Sequence, residues 1–198
     1  MEHSPEPRRE IAFNTSLRGS GFTFHSTWGL FSPRQIDAGS RMLVEHIELQ
    51  PQHKTLDLGC GYGAIGVPVA RCCPQGLVHM VDKDFVALQY ARKSVQANGL
   101  TNCVVYESNA FSNVTESGFD NVASNLPANV GKELLHIILC DAWDHLRPGG
   151  RLYVVTVAGL RRFIQRNLQE VFGNYRKLKQ GGTYAVAMAE RRAPGGSV

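Results

Sequence analysis

The sequence predicts an α/β fold with a Rossmann-like, doubly wound sheet for this chain of 198 residues. From Lys54 onward, short β-rich segments alternate with longer helical segments, which is the pattern of parallel βαβ units. Two of the β-rich segments end in an acidic residue, at Asp57 and Asp82. Near the C-terminus, two more flank Gly181-Gly182, a two-residue connection favoured in antiparallel hairpins. We therefore expect seven strands, mostly parallel, with a C-terminal antiparallel hairpin.

Each element of the sheet has its own signal in the sequence. The β-rich segments predict strands at 54–58, 77–81, 103–107, 121–124, 151–157, 175–180 and 183–190. The helical patterns predict helices at 64–73, 85–98, 131–145 and 160–172. Two of these helices have marked ends, because Asn98-Gly99 favours a left-handed C-cap and Pro148-Gly149-Gly150 follows the third helix.

The segment that precedes the sheet predicts a lid and a helix. Within 19–33, two short extended pieces are expected to form a small β lid. Ser32 is the expected N-cap of a helix at 34–47, with Pro33 at its first position. Residues 1–18 are expected to be a disordered tail.

Composition indicates one globular domain, which we place at 19–192 with a flexible C-terminus at 193–198. Hydrophobic residues make up 43% and charged residues 19% of the chain, both ordinary for a globular protein. The polar N-terminus matches neither a signal peptide nor a membrane anchor. The five cysteines are odd in number and form no C-x-x-C pair, which argues against a disulfide framework and against a metal site. We expect a cytoplasmic protein that binds no metal.

Positive charge is concentrated in the last quarter of the chain. From Pro148 onward there are nine Lys and Arg against two Glu, a net charge of +7 where the whole chain has +4. Such a segment is either an electrostatic footprint for nucleic acid or a set of solvated helix faces and a basic tail. The sequence leaves these two alternatives open.

A glycine-rich turn after the first predicted strand is the most informative segment. Asp57 ends the strand, and Gly59, Gly61 and Gly63 follow at alternate positions. Glycines let the chain turn sharply and approach a ligand closely. The match Gly61-x-Gly63-x-x-Gly66 would suit a nicotinamide dinucleotide and hence a dehydrogenase. A carboxylate at Asp57 opposes a pyrophosphate, however, and favours a cofactor that carries a cation.

This turn resembles motif I of the class I S-adenosylmethionine-dependent methyltransferases. The resemblance implies that Asp57 contacts the methionine end of the cofactor and that the glycine loop passes under it. It implies that Asp82 binds the ribose hydroxyls, with Asp84 the weaker candidate. The full set of cofactor-binding residues is then Asp57, Gly59, Cys60, Gly61, Gly63, Asp82, Lys83, Asn109, Ala110 and Asn125. Asn109 is equally explained as a turn residue.

A second motif follows the fourth predicted strand, at Asn125-Leu126-Pro127-Ala128. It resembles motif IV, Asn-Pro-Pro-aromatic, of methyltransferases that modify amino groups of nucleobases or of glutamine. By that resemblance Asn125 and Pro127 are catalytic, and the Asn side chain orients the target amine. Leu126 and Ala128 stand where the pattern has the first proline and the stacking aromatic. We expect both to contact substrate, together with Phe31 in the lid, whose other role would be packing.

The wider resemblance is to the methyltransferase small domain family, which includes ribosomal RNA guanine-N2 methyltransferases and a single-domain archaeal relative. It extends over nearly the whole chain and includes the segments 29–32 and 37–40. It implies N-methylation of guanine in ribosomal or other structured RNA, with RNA as the partner. The missing aromatic leaves a second hypothesis, a catalytically weakened protein that binds S-adenosylmethionine or RNA.

Overall fold

The computed structural model describes residues 9–128 and 130–193. Residues 1–8 of the tail expected at 1–18, and residues 194–198 of the C-terminus expected to be flexible at 193–198, lie outside the described residues. The strands are β1 Glu10–Leu17, β2 Ser20–Thr27, β3 Thr55–Leu58, β4 Val78–Asp82, β5 Cys103–Glu107, β6 Phe119–Asn125, β7 Leu146–Val157, β8 Arg176–Gln180 and β9 Tyr184–Glu190. The helices are α1 Ala38–His46, α2 Gly66–Cys72, α3 Phe85–Ala97, α4 Lys132–His145 and α5 Arg161–Phe172, the last preceded by a 3-10 turn at Ala158–Leu160.

Seven of the strands form one sheet in the order β5-β4-β3-β6-β7-β9-β8. All neighbours are parallel except those of β9, which runs antiparallel to β7 and to β8. The chain moves outward from β3 to β5 and then returns to β6 on the other side of β3. Ligands of doubly wound sheets bind at such a reversal, beyond the carboxyl ends of the strands. The predicted seven-stranded fold with its C-terminal hairpin is confirmed.

Two apolar cores lie on opposite faces of this sheet. Helices α1, α2 and α3 cover one face, with Leu43, Val67 and Leu88 among the buried side chains. Helices α4 and α5 cover the other face, where Leu139 and Leu168 are fully buried. In the described part of the chain, no helix has the length and apolar character needed to cross a membrane.

The N-terminal hairpin is longer than the sequence suggested. Strands β1 and β2 pair antiparallel over their whole length. Residues 10–17 therefore form a strand where a disordered tail was expected, and the expected extended piece at 28–31 is a turn. The two strands are held together through the core, because Phe13 of β1 stacks on Phe24 of β2 with ring centroids 5.7 Å apart. Phe22 and Phe24 are 4% and 0% exposed. The hairpin is fastened to α3, where the Asn98 side chain bonds the backbone of Thr23 in both directions.

The first helix begins later than predicted, and the expected cap at Ser32 is wrong. Asp37 is the N-cap of α1, where its Oδ1 accepts from the N–H groups of Gly39 at 2.9 Å and Ser40 at 3.1 Å. Ser32 instead has a left-handed φ of 47° and bonds the carbonyl oxygen of Gln35. Serine and aspartate are comparable N-caps, so contacts elsewhere in the fold decide between the two positions. The Tyr62 hydroxyl, 3.1 Å from the carbonyl oxygens of Ser32 and Gln35, holds the segment after Ser32 as a loop.

The other boundaries differ by a few residues. Strand β7 begins at Leu146, five positions before the prediction, because Leu146 pairs with Phe119 at the start of β6. The turn between β8 and β9 has three residues, 181–183, where two were expected. Tyr184 accepts from the Gly181 N–H at 2.8 Å and closes that turn.

Candidate active site

A pocket of about 270 Å³ lies at the carboxyl ends of β3, β4, β5 and β6. Its walls come from loops that follow four different strands and from the first turns of α4. The lining residues are Leu58, Gly59, Asp82, Lys83, Ser108, Asn109, Ala110, Ser124, Asn125, Leu126, Pro127, Val130, Leu134 and Ile138. The pocket therefore lies at the reversal of strand order, where the fold predicts a ligand site.

The glycine loop forms the floor of this pocket at the end of β3. Gly59 and Gly61 have φ values of 75° and 55°, a region that side chains disfavour, and a Cβ on either would meet nothing within 4 Å. Their α-carbons thus face open space. The N–H groups of Gly59 and Cys60 donate to the Val81 carbonyl oxygen at 2.9 and 2.8 Å, which ties the loop to β4.

The two remaining glycines of the pattern serve packing. A Cβ on Gly66 would lie 2.7 Å from Met80 Cγ and 2.9 Å from Asp57 Oδ2. A Cβ on Gly63 would lie 2.9 Å from Met80 Cε. The spacing Gly61-x-Gly63-x-x-Gly66 therefore reflects the close approach of α2 to the sheet, which needs no dinucleotide.

Asp57 is fully buried beneath the glycine loop and does not line the pocket. Its Oδ2 accepts from the Gly66 N–H at 2.7 Å, whereas its Oδ1 is buried with no hydrogen-bond partner among the described residues. Burial raises the pKa of this carboxyl from 3.8 to about 7; the Gly66 bond lowers it, and the charge of Asp82 raises it. A cation placed nearby would stabilise the charged form of this buried carboxyl and lower its pKa.

Asp82 lies at the end of β4 and lines the pocket. Its Oδ2 accepts from the Gly61 N–H at 2.9 Å and its Oδ1 from the Asp84 N–H at 3.0 Å. Each oxygen keeps a lone pair for a ligand. Asp84 is the N-cap of α3 and bonds the Val86 N–H at 2.8 Å, outside the pocket. The structure thus separates a pocket carboxylate from a capping carboxylate.

A tight turn after β5 forms the wall opposite the glycine loop. Ala110 has a left-handed φ of 50°, and the Ser108 hydroxyl donates to its carbonyl oxygen at 2.6 Å. Ser108 Oγ in turn accepts from the Asn113 N–H at 3.1 Å. Asn109 stands between these residues and lines the pocket. The bonded turn therefore places Asn109 beside the cavity.

The Asn125 amide is oriented by an acidic neighbour. Its Nδ2 donates to Asp37 Oδ1 at 3.3 Å and Oδ2 at 3.4 Å, and to Ser40 Oγ at 3.0 Å. A carboxylate only accepts hydrogen bonds, so the NH₂ group must face Asp37 and the Oδ1 must face the other way. Asn125 lines the pocket, and none of the described residues donates to its Oδ1, so this acceptor is available to a ligand there.

A profile for the methyltransferase small domain matches residues 21–188, most of the chain. The chain belongs to the methyltransferase small domain family. The identification made from the two motifs is thereby confirmed.

Three relatives illustrate the family. YbxB of Bacillus subtilis, an uncharacterized protein, is 33% identical over 180 residues, covering 88% of this chain and 89% of its own. Ribosomal RNA small subunit methyltransferase C of Haemophilus influenzae is 34% identical over 169 residues, covering 83% of this chain and 50% of its own. The solved Thermus thermophilus 16S rRNA N2 G1207 methyltransferase (RsmC), in complex with AdoMet and guanosine, has a TM-score of 0.87 at 32% identity, covering 97% of this chain and 53% of its own.

The extent of these matches differs between relatives. The chain spans about half the length of the methyltransferase C relatives and most of the length of YbxB. Other structures, such as a Pyrococcus furiosus methyltransferase at 23% identity and a TM-score of 0.64, share the fold.

The family's motif IV is altered here, and the structure shows one consequence. The Leu126 N–H donates to the Val155 carbonyl oxygen at 3.0 Å, a bond that a proline at this position could not make. Leu126 is 3% exposed and lines the pocket, as does Pro127. Ala128 is exposed and is not among the lining residues. The Leu126 N–H thus supplies a backbone bond to β7 at the point where β6 ends.

Phe31 lies in the loop between β2 and α1 and is 67% exposed, outside the pocket lining. This loop is tied to the glycine loop, because the Tyr62 hydroxyl lies 3.1 Å from the carbonyl oxygens of both Ser32 and Gln35. Tyr62 also packs edge-on against Phe24 of the hairpin. The lid of this methyltransferase small domain therefore adjoins the glycine loop.

The structure adds site residues that the sequence analysis missed. The most important is Asp37, which orients Asn125 from α1. The others line the pocket from the ends of β3 and β6, the β5 turn, and α4 with the loop before it: Leu58, Ser108, Ser124, Val130, Leu134 and Ile138. A sequence signal existed only for Asp37, which lies in a family-like segment at 37–40. Of the predicted cofactor residues, Cys60, Gly61 and Gly63 lie in the loop but not in the lining.

Proposed function

We propose that this protein is an S-adenosylmethionine-dependent methyltransferase that methylates the exocyclic amine of guanine, N2, in ribosomal or other structured RNA. The observation that carries the proposal is the Asn125 amide, which is held by Asp37 with its oxygen toward a pocket floored by a glycine loop. The relatives support the substrate, since one is named as a 16S rRNA N2 methyltransferase and was solved with guanosine.

The residues present fit S-adenosylmethionine. Gly59 and Gly61 leave open space above the loop, and Asp82 keeps free lone pairs for the ribose hydroxyls. Asn109 and Ala110 would bind the adenine, with Lys83 at the rim. The unpartnered Oδ1 of Asp57 would balance the positive charge of the methionine end through the loop.

Positioning of the amine supplies most of the rate enhancement. An exocyclic amine is a poor nucleophile because its lone pair is delocalised into the ring. Asn125 Oδ1 and the adjacent Leu126 carbonyl oxygen would accept hydrogen bonds from its two N–H groups and so point the lone pair at the methyl group. The bound cofactor supplies an electrophilic methyl on its sulfonium, so the protein needs neither a metal nor a covalent intermediate.

Stacking of the base is assigned to the lid. Ala128 offers no aromatic face, whereas Phe31 is an exposed ring on a loop tied to the glycine loop. Base–aromatic stacking contributes roughly 1–3 kcal/mol per base. Phe31 would provide this contact in place of the aromatic of motif IV, with Leu126 and Pro127 on the other side of the base.

The second candidate is a protein that keeps the cofactor pocket without catalysis, which the exposed Ala128 favours. Mass spectrometry of nucleosides separates the two. RNA from cells that lack the gene is incubated with the protein and labelled S-adenosylmethionine, with Asn125→Ala as the control. We expect label in N2-methylguanosine with the parent only. Cofactor binding without label in any RNA would favour the second candidate.

A further inference from the structure

The basic residues near the C-terminus divide into two groups in the folded chain. Arg151 and Arg176 both pair with Glu48, and Arg151 also pairs with Glu190. Arg191 lies 4.0 Å over the Trp143 ring and donates to three backbone carbonyl oxygens at the end of α4. These arginines serve the fold, so the excess charge available to a partner must lie elsewhere.

A second group lies on α4 and α5, and we call it the α4–α5 basic surface: Lys132, Arg162 and Arg166. Arg162 and Arg166 are on the solvent face of α5 and Lys132 is at the start of α4. None of the three has an ion-pair partner among residues 9–128 and 130–193. The nearest acids in sequence are Glu133 and Glu170, so the surface has a net positive charge.

An aromatic ring lies between these cations. Lys132 Nζ and Arg166 Cζ are each 5.9 Å from the centroid of the half-buried Phe163 ring. His136 Nδ1 on α4 bonds Asn167 Oδ1 on α5 at 2.7 Å, and Asn167 Nδ2 donates to the Phe163 carbonyl oxygen at 2.8 Å. The two helices that carry the cations are therefore joined by a hydrogen bond between side chains.

The surface adjoins the candidate active site. Helix α4 follows β6, the strand that ends in Asn125, and α5 follows the neighbouring strand β7, so both helices begin at the pocket edge of the sheet. Leu134 and Ile138 of α4 line the pocket, and Lys132 lies within two residues of Leu134. A polymer whose reactive group enters the pocket would continue across this surface.

We infer that the α4–α5 basic surface binds the phosphate backbone of the RNA strand next to the methylated nucleotide. This inference rests on the proposed function. Arginine presents a planar fork of donors that matches a phosphate, and an aromatic ring between cations offers a face to a base. Arg162 also lies in the first turn of α5, where positive charge is opposed by the helix dipole. A partner rich in phosphate would offset both the unfavourable interaction with the helix dipole and the repulsion between the two arginines.

The test is RNA binding by a charge-reduced variant with a matched control. R162Q/R166Q removes two charges from the surface, and K177Q/K179Q removes two from β8 at the far edge of the sheet. Binding of a fluorescein-labelled RNA hairpin with a guanine in its loop is measured by anisotropy over a range of salt. We expect R162Q/R166Q to bind about ten-fold more weakly, with a salt slope reduced by about 1.4. The control should bind like the parent.

Each other outcome is informative. If both variants lose RNA affinity equally, net charge alone explains the loss, and the proposal that RNA binds the α4–α5 basic surface is wrong. Stronger binding of the parent to poly-L-glutamate than to RNA would overturn it in favour of an acidic protein. Binding of S-adenosylhomocysteine by calorimetry should be the same for parent and variants. If the parent binds RNA through these arginines but methylates none, the proposed function is wrong and the RNA-binding surface stands. If the parent methylates RNA and R162Q/R166Q binds RNA normally, the proposed function stands and the RNA-binding surface is wrong.

Discussion

Asn125 donates its amide hydrogens to Asp37, a residue 88 positions earlier in the chain, with Nδ2 to Oδ1 at 3.3 Å. Asp37 caps α1 with the same Oδ1, so one carboxylate both starts the helix and orients the side chain at the end of β6. The carboxyl is 9% exposed, which shields the contact from water. The position of α1 is thereby coupled to the acceptor oxygen in the pocket.

Asp37→Asn should lower turnover with little effect on stability. Asparagine caps a helix about as well as aspartate, so the free energy of unfolding should change by a few tenths of a kcal/mol. Its own NH₂ group competes for the orientation of Asn125, and a displaced acceptor can cost roughly 10–100-fold in kcat. Steady-state kinetics and calorimetry with S-adenosylhomocysteine check this. An unchanged kcat would show that Asp37 serves only as the N-cap of α1.

Asn125→Ala should abolish methyl transfer while cofactor affinity changes little, and Asn125→Asp is the sharper probe. The second variant places two carboxylates about 3.3 Å apart, so one must take up a proton or the side chain must turn away. We expect low activity that rises as the pH falls. Combining it with Asp37→Asn restores an amide–carboxylate pair and should recover part of the activity at neutral pH. Purely additive losses would show that the two residues do not cooperate.

Asp57 should make the stability of the protein fall as the pH rises. Its pKa is raised from 3.8 to about 7 by burial, so the folded state holds a proton that the unfolded state releases. The contribution is complete below about pH 4 and is lost as the pH rises through about 7. Urea unfolding over this range should show a decline for the parent that is weaker for Asp57→Asn. Parallel curves would place the titration elsewhere.

The same carboxyl should make ligand affinity depend on pH. The ammonium of S-adenosylhomocysteine favours the charged form of Asp57, so binding should release a proton and tighten as the pH rises through about 7. Calorimetry in two buffers of different ionisation enthalpy measures that proton. An affinity that does not change with pH would show that the methionine end lies away from Asp57.

Asp82→Ala should weaken cofactor binding, and Asp84→Ala provides the matched control. Charge-assisted hydrogen bonds contribute about 1.5–3 kcal/mol each, so loss of the ribose contacts corresponds to at least a ten-fold rise in Kd. Asp82 also accepts a hydrogen bond from the Gly61 N–H, and loss of this bond should weaken cofactor binding further. Asp84→Ala removes the cap of α3 and should cost about 1 kcal/mol of stability while leaving Kd unchanged. If Asp84→Ala weakened cofactor binding more than Asp82→Ala, Asp84 would be the residue that binds the ribose.

Local pattern accounts for much of what could be predicted. The parallel strands, the glycine turn after Asp57 and the motif at Asn125 each depend on neighbours in sequence, and so could be found without coordinates. The start of α1 could not, because Ser32-Pro33 and Asp37 are both acceptable starts and tertiary contacts decide between them. Tyr62 binds the carbonyl oxygens of Ser32 and Gln35 and keeps that loop out of a helix.

By itself the sequence determined the class of the fold, from its periodicity, and it indicated the family and the two segments that meet at the pocket through their resemblance to known motifs. Only the tertiary structure decided how the side chains work. Burial of Asp57 beneath the loop, the turn of the Asn125 amide toward Asp37 and the division of the arginines between ion pairs and a free surface all depend on residues distant in the chain. Their energies come from desolvation and from contacts across the fold, which no local pattern specifies.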